Sequence, residues 1–221
     1  MSDQTARGGG LRRALGYAAA AVLAAFAVVG ALGLEIVQDN PFQPGVARPA
    51  YPVRGVVAPP VVLTDQDGQT VDAERWRGHV VVLGFMAAGA GQSVRPARVL
   101  AAARRDLGPA ARDVRWALVN TNPLATGTAA VRATARRARL DPDVRFLTGA
   151  APVLLAVWQA YHVDVAPAGG RLVYTAPVYV IDRSGREWDA MLVNLGPAGA
   201  ADVAAEGRAV AAMVRAAARG S

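Results

Sequence analysis

The sequence contains no cysteine and no lysine, and only two histidines, His79 and His162, among its 221 residues. Without cysteine there is no disulfide, no thiolate metal site, no thiol nucleophile and no Cys-x-x-Cys redox couple. Two histidines are also too few for a histidine-rich metal cage. Because hydrophobic residues make up 53% of the chain, a disordered protein swollen by its own charge is excluded as well.

The N-terminal region has the features of a membrane anchor. Three arginines in residues 1–13 precede an uncharged apolar run at 14–34, which Glu35 ends. A helix of that length spans ~31 Å, close to the ~30 Å hydrocarbon core of a bilayer. Because positive charges stay inside, the sequence predicts a cytoplasmic arm at 1–13, a single transmembrane helix at 14–35 in the cytoplasmic membrane, and a soluble domain outside the cytoplasm. The alternative is a signal peptide cleaved near 29–31.

A proline-rich segment follows at 36–60, with two glycines and no apolar period. Proline fixes φ and removes backbone donors, so this segment is predicted to be an extended, semi-rigid linker that holds a domain at 61–221 away from the membrane. The alternative, an irregular strand packed on the domain, applies best to Val56 and Val57.

The remaining residues alternate between strand and helix patterns. The longest apolar run, at 79–85, is typical of a strand that is buried on both faces of a central sheet. This order predicts an α/β, thioredoxin-like layer fold with a central mixed sheet flanked by helices. The sequence predicts a short hairpin at 61–71 with glycine at its turn, and a second hairpin turn at 182–185. The other predicted strands are 79–85, 114–119, 172–173, 178–181 and 188–195, and the predicted helices are 93–107, 128–140, 152–161 and 200–218.

Several of these segments resemble segments of one protein family. Residues 62–71 and 77–85 resemble the opening of the SCO/SenC family, and three later segments are similar to its "VDP" turn, its "LTG" and its "YLIDxxG" hairpin, at 119–123, 146–149 and 179–186. The resemblance covers roughly residues 58–215. It implies a membrane-anchored thioredoxin fold outside the cytoplasm, associated with copper delivery to cytochrome c oxidase.

The family's copper ligands are a CxxxC motif directly after the "GF" strand and a histidine before the "YLID" strand. The resemblance places these three positions at Ala88, Gln92 and Tyr174. A methyl group cannot ligate a metal, and an amide or a neutral phenol is a poor ligand for soft Cu(I). We therefore expect a degenerate member of the family, with no catalytic residue, no metal and no cofactor.

Three residues around that region are candidates for contact with a partner. Met86 ends the central strand. Its side chain could instead be part of the core or, together with Met191 and His162, a soft ligand for copper. Ser93 begins a predicted helix, where it is either an N-cap or a nucleophile. Pro177 resembles the proline of the thioredoxin peptide-binding loop, with either isomer of its preceding peptide bond open.

The second predicted helix carries a basic face. Arg132, Arg136 and Arg139 follow one another at helical spacing, with Arg137 alongside. This face is either a contact for anionic lipid or an acidic partner, or a plain solvated surface. Nucleic acid is not expected as a partner outside the cytoplasm.

These observations predict a non-enzymatic, membrane-anchored binding protein, an accessory or assembly factor of a respiratory cytochrome c oxidase complex. One alternative is a copper carrier or enzyme with an unfamiliar Met, His and Ser site. Another is a structural accessory subunit of a membrane complex.

Overall fold

The fold is built around one strand, Val80–Met86, in which all seven residues are buried. The computed structural model describes residues 53–168, 171–196 and 199–220. The predicted arm and transmembrane helix, and the predicted linker up to residue 52, lie outside the described residues. Among the described helices, none has both the length and the apolar character needed to cross a bilayer.

Nine strands and four helices are described. The strands are β1 (Val62–Thr64), β2 (Thr70–Asp72), β3 (Val80–Met86), β4 (Val114–Asn120), β5 (Val144–Leu147), β6 (Val165–Ala168), β7 (Arg171–Tyr174), β8 (Pro177–Ile181) and β9 (Glu187–Leu192). The helices are α1 (Arg95–Leu107), α2 (Thr128–Ala138), α3 (Ala151–Ala160) and α4 (Ala200–Gly220).

Five strands form a central mixed sheet in the order β5-β4-β3-β8-β9. Strands β3, β4 and β5 are parallel, whereas β8 is antiparallel to both of its neighbours. Two small antiparallel pairs, β1-β2 and β6-β7, lie outside this sheet. The α/β class and the thioredoxin-like arrangement predicted from the sequence are confirmed.

The two faces of the central sheet are covered by different helices. Val80, Val82 and Met86 of β3 pack into a cluster with α1, α2 and α4. The alternate residues, which include Leu83 and Phe85, pack against α3 and the β1 segment. Because a strand points successive side chains to opposite faces, a run that is apolar at every position requires this double cover.

Helices α1 and α4 cross closely at Gly207. A Cβ atom at this position would overlap the Ala102 side chain of α1, and the α1 backbone lies 3.0 Å away from it. A buried ion pair also joins the two helices, since Arg95 Nη2 lies 3.0 Å from Glu206 Oε2 and both side chains are nearly buried. Glu206 further accepts a hydrogen bond from the Asn194 amide at 3.0 Å.

Two predicted helix boundaries are corrected. Helix α1 begins at Arg95 rather than at Ser93, with Pro96 in its first turn. Helix α2 ends at Ala138 rather than at Leu140, because Arg139 adopts a left-handed conformation with φ 51°. Leu140 then donates its N–H to Ala135 O at 2.9 Å and turns its side chain toward the core. This is the hydrogen-bond pattern of a Schellman helix end.

Two strands were not predicted. The edge strand β5 has only four residues, and one of them, Arg145, is exposed. Strand β6 contains Pro167, and it pairs only with β7. Short edge strands and proline-containing strands carry too little periodicity to be recognised from sequence alone.

The end of the predicted linker is hydrogen-bonded to the folded domain. The Gly55 N–H donates to Glu187 O, and the Glu187 N–H donates to Val56 O, each at 2.8 Å. The Tyr161 hydroxyl donates to Pro59 O at 2.7 Å. Residues 53–60 therefore follow the β8–β9 hairpin, as the alternative interpretation of Val56 and Val57 expected.

The same contacts bury the Glu187 side chain, which is 6% exposed. In the described part of the chain this carboxyl group forms no ion pair and no hydrogen bond. Burial raises the pKa of Glu187 from 4.5 to about 7, because the charged form loses hydration. A raised pKa means that the folded state binds the proton more tightly. The protonated Glu187 carboxyl group therefore contributes to the free energy of unfolding. This contribution is complete below pH ~4.5 and is lost as the pH rises through 7.

We expect the substitution Glu187→Gln to remove this pH dependence. At pH 8 the variant should be more stable than the wild type by about 1–3 kcal/mol, because it no longer buries a charge. At pH 4 the two proteins should differ by less than about 0.5 kcal/mol. Urea unfolding at both pH values measures the difference.

The control is Glu74→Gln. Glu74 is exposed, and its hydrogen bond to Arg77 lowers its pKa, so this substitution should bring no gain at pH 8. An equal stability difference at pH 4 and pH 8 for Glu187→Gln would contradict the assignment.

Candidate functional site

The candidate site lies where the parallel strands β3 and β4 end. After Met86 the chain continues through Ala87 and Ala88, which are both fully buried, into a loop at 89–93. The carboxyl ends of parallel strands share one edge of the sheet, and ligand sites of α/β proteins favour that edge. The loop is therefore held at the position where this fold class builds its sites.

Asn120, at the end of β4, organises this edge. Its fully buried side chain accepts hydrogen bonds through Oδ1 from the amides of Ala88 and Asn122, each at 2.9 Å. Its Nδ2 donates to Ala125 O at 2.9 Å. Its backbone oxygen accepts from Trp158 Nε1 of α3 at 2.9 Å. One residue thus connects the end of β3, the loop after β4 and helix α3.

Further hydrogen bonds fix the start of the loop. The Gly89 N–H donates to Thr134 Oγ1 of α2 at 3.0 Å, and Asn122 Nδ2 donates to Ala88 O at 2.7 Å. Gly89 has a φ of +113°, a conformation that side chains disfavour. The backbone at Ala88 and Gly89 is therefore held by side chains from two other elements.

Tyr174 lies beside this segment. Tyr174 ends β7, where it pairs with Val165, and its hydroxyl interacts with the backbone N–H of Ala87. Tyr174 is 7% exposed, and in the described structure its hydroxyl forms no hydrogen bond of full length and angle. Burial raises its pKa to about 12, and the backbone N–H of Ala87 opposes that rise in part. The phenol therefore stays protonated at neutral pH.

The three positions that the resemblance assigned to copper ligands do not fit copper. Ala88 presents a buried methyl group, and Tyr174 presents a protonated phenol. Gln92 is partly exposed in the loop, and its amide oxygen is a hard donor. Within the described residues, no group of three or more His, Cys, Asp or Glu side chains could hold a metal ion.

The alternative soft ligands do not come together. Met86 and Met191 are fully buried in the cluster on one face of the sheet, on strands separated by β8. His162 lies in the turn after α3, which packs on the other face. Met86 is therefore a core residue, and the predicted contact between Met86 and a partner is corrected because its side chain has no exposed surface.

Pro177 is also less accessible than predicted. It is buried, it pairs with Leu192 across β8 and β9, and the peptide bond before it is trans. The neighbouring Ala176 O accepts from the Val193 N–H at 2.9 Å. The β9 pairing therefore fixes this segment in the sheet, and partner contact at Pro177 stays a prediction.

Ser93 remains partly accessible, and among the described residues no hydrogen bond joins its hydroxyl to a histidine or a carboxylate. Its Oγ accepts a hydrogen bond from the Arg95 N–H at 3.3 Å, just before α1. His79 precedes β3 at the opposite end of the strand, and its Nε2 is 3.0 Å from Arg115 Nη2. The position of Ser93 fits a local backbone hydrogen bond rather than nucleophilic catalysis.

The predicted basic face is only partly regular. Arg132 and Arg136 are exposed on α2, and Arg132 Nε donates to Gln66 O at 2.9 Å. Arg139 lies beyond the last helical residue, so the predicted i, i+4, i+7 line ends at Arg136.

Sequence reasoning missed the exposed apolar residues next to the site. Leu124 is 92% exposed in the loop after β4, and Val173 is 49% exposed one residue before Tyr174. We use the name site rim for these two residues together with the loop at 89–93. A leucine between a proline and an alanine in a turn-rich segment was the only available signal, since an exposed leucine is unremarkable by itself.

Solved structures of other proteins have a fold similar to that of this chain. Bradyrhizobium japonicum ScoI with copper bound matches at 22% identity, over 74% of this chain and 100% of that chain, with a TM-score of 0.53. The chain has the fold of the Sco proteins. The predicted resemblance to the SCO/SenC family is thus confirmed in the fold.

The Sco-type fold is shared more widely. A putative electron transfer protein from Aquifex aeolicus matches at 13% identity, over 76% of this chain and 97% of that chain, with a TM-score of 0.60. Peroxidoxin BcpB from Mycobacterium tuberculosis matches at 19% identity, over 75% and 98% of the two chains, with a TM-score of 0.52. No protein-family model and no curated protein matches the sequence.

The role of Asn120 leads to a prediction. Asn120→Ala should destabilise the protein by about 3 kcal/mol, because it leaves the buried amides of Ala88 and Asn122 without an acceptor. Chemical denaturation measures the loss. Hydrogen exchange at Ala88 should accelerate in the same variant.

The matched control is Thr121→Val at the adjacent residue. Thr121 is equally buried, but its hydroxyl has no partner in the described structure. Replacing it by an apolar group of the same shape should leave stability within about 0.5 kcal/mol or raise it. Equal losses in the two variants would show that Asn120 contributes no more than ordinary burial.

Proposed function

We propose that this chain is a membrane-anchored, non-redox Sco-like protein that acts by binding, as an accessory or assembly factor of a respiratory cytochrome c oxidase complex. The observation that carries the proposal is a Sco-type fold in which Ala88, Gln92 and Tyr174 occupy the predicted ligand positions. Without cysteine the chain cannot cycle between dithiol and disulfide. Binding is the function that such a site can still perform.

The site rim supplies a contact surface for this role. Leu124 follows Asn122 and Val173 precedes Tyr174 in the chain, and both expose apolar side chains. Hydrogen bonds to Asn120, Asn122 and Thr134 hold Ala88 and Gly89, where the loop at 89–93 starts. Apolar side chains on a rigid support lose little conformational entropy on binding. The rim therefore suits a protein partner that approaches the former active-site edge.

The proposal includes a location for the chain at the membrane. The apolar run at 14–34, preceded by arginines, anchors the chain in the cytoplasmic membrane with the domain outside the cytoplasm. A Sco-like domain tethered there is close to membrane-embedded respiratory subunits, and the tether raises its effective concentration for them.

We expect the full chain, purified with a tag from membranes of its source organism, to recover subunits of cytochrome c oxidase. The double variant Leu124→Asp with Val173→Asp should recover at least about fivefold less, because two carboxylates are placed in an apolar contact. Quantitative mass spectrometry of the purified fractions measures the recovery.

Val62→Asp is the matched control. Val62 is a 54% exposed valine on β1 and does not belong to the rim, so this variant should recover oxidase subunits as the wild type does. Absence of oxidase subunits from the wild-type fraction, or an equal loss in Val62→Asp, would count against the proposal.

The full chain in neutral detergent should not bind Cu(I) stoichiometrically against a competing chelator. The triple variant Ala88→Cys, Gln92→Cys and Tyr174→His serves as the positive control, because it restores two thiolates and an imidazole, all of which are ligands for Cu(I). One equivalent of Cu(I) bound tightly by the wild type would replace the proposal with a copper-carrier function.

A further inference from the structure

A groove lined by arginines opens where α1, the end of α2 and the start of α4 meet. Arg98 and Arg105 of α1 line one side, and Arg137 and Arg139 line the other. We call this surface the arginine groove. The predicted basic face already included Arg137 and Arg139, whereas Arg98 and Arg105 come from a different helix.

The four groove arginines are exposed, and in residues 53–168, 171–196 and 199–220 none of them forms an ion pair. Their neighbours differ in this respect. Arg104 binds Asp141 at 3.1 Å and Asp143 at 2.8 Å, and Arg215 binds Asp106 at 2.9 Å. The nearby carboxylates therefore neutralise other arginines, and the groove keeps its positive charge.

The start of α4 adds to this potential. Gly199 and Ala200 line the groove, and Ala200 begins a 21-residue helix whose N-terminus carries partial positive charge. Asp202 is the carboxylate in the first turn of α4, and it accepts a hydrogen bond from the Gly199 N–H at 2.9 Å. This single acidic residue offsets only part of the charge of four guanidinium groups.

The floor of the groove is apolar. Ala101, Ala138, Val203 and Ala204 also line it, and all four are partly buried whereas the arginines are exposed. A free phosphate or a nucleic-acid backbone would leave this floor without a matching surface, and a flat bilayer that contacts the exposed arginines would leave the less exposed floor uncovered. Small side chains on the floor leave room for apolar side chains of an occupant.

We propose that the arginine groove docks an acidic amphipathic segment of a partner protein, with carboxylates on the guanidinium groups and apolar side chains on the floor. Guanidinium groups bind carboxylates in paired, bidentate hydrogen bonds, which gives direction as well as charge attraction. The groove shares no residue with the site rim, so this contact is independent of the function proposed above.

The test uses the full chain in phosphatidylcholine nanodiscs and a labelled helical peptide of 18 residues with glutamates flanking a leucine and alanine stripe. Fluorescence anisotropy should show saturable binding that weakens as salt rises. The variant Arg98→Glu, Arg105→Glu and Arg137→Glu should bind at least about tenfold more weakly, because attraction becomes repulsion.

Arg136→Glu with Arg208→Glu is the control, since both arginines are exposed on α2 and α4 but lie outside the groove lining. Its affinity should stay within about twofold of the wild type. Circular dichroism spectra verify that the variants are folded. Because this assay contains no oxidase and no copper, its result is separate from the tests of the site rim.

Three outcomes would overturn the proposal. The first is equal weakening in the control and groove variants, which would reduce the effect to overall charge. The second is equal affinity for a poly-glutamate peptide of the same length, which would remove the role of the apolar floor. The third is recruitment of the nanodiscs to phosphatidylglycerol vesicles without peptide binding, which would assign the groove to a membrane surface.

Discussion

The architecture of the site edge depends on the buried amide of Asn120. Its oxygen accepts the Ala88 and Asn122 amides, its nitrogen donates to Ala125, and its own backbone oxygen receives the Trp158 indole. A buried amide whose partners are all present strengthens each hydrogen bond in the low-dielectric interior. Removing any one partner lowers the stability of the fold, because a buried polar group then lacks its hydrogen bond. Asn120 thus links the end of β3, the loop after β4 and α3 through one buried side chain and its backbone oxygen.

The hydrogen bonds that hold this edge act on the backbone of residues 88 and 89. Ala88 is held through its backbone by Asn120 and Asn122, and Gly89 is held by Thr134. None of these hydrogen bonds uses the side chain at position 88. The fold therefore places no demand on that side chain except that it fit a closed space, and alanine meets this demand.

Elements of secondary structure that are specified by neighbouring residues could be predicted from the sequence. The apolar run at 79–85 gave the central strand, and the glycine-containing turns gave both hairpins. What it could not predict depends on contacts across the chain. The hydrogen bonds of Asn120 are among these contacts, since its partner Ala88 lies 32 residues away. The burial of Met86 and of Pro177 also depends on residues that are distant in the chain. Strand β5 exists because β4 offers it an edge.

The chain uses arginine for every one of its basic residues apart from histidine. Arginine content is therefore no sign of function in this protein, and a helical row such as Arg132 and Arg136 carries little information. The arginines differ in whether they form an ion pair with a carboxylate. Arg95, Arg104 and Arg215 each have a carboxylate partner, and Arg95 is buried with its partner against α4. Four arginines around an apolar floor have none among the described residues. Since unpaired like charges repel one another, such a group is most stable when an external anion completes it.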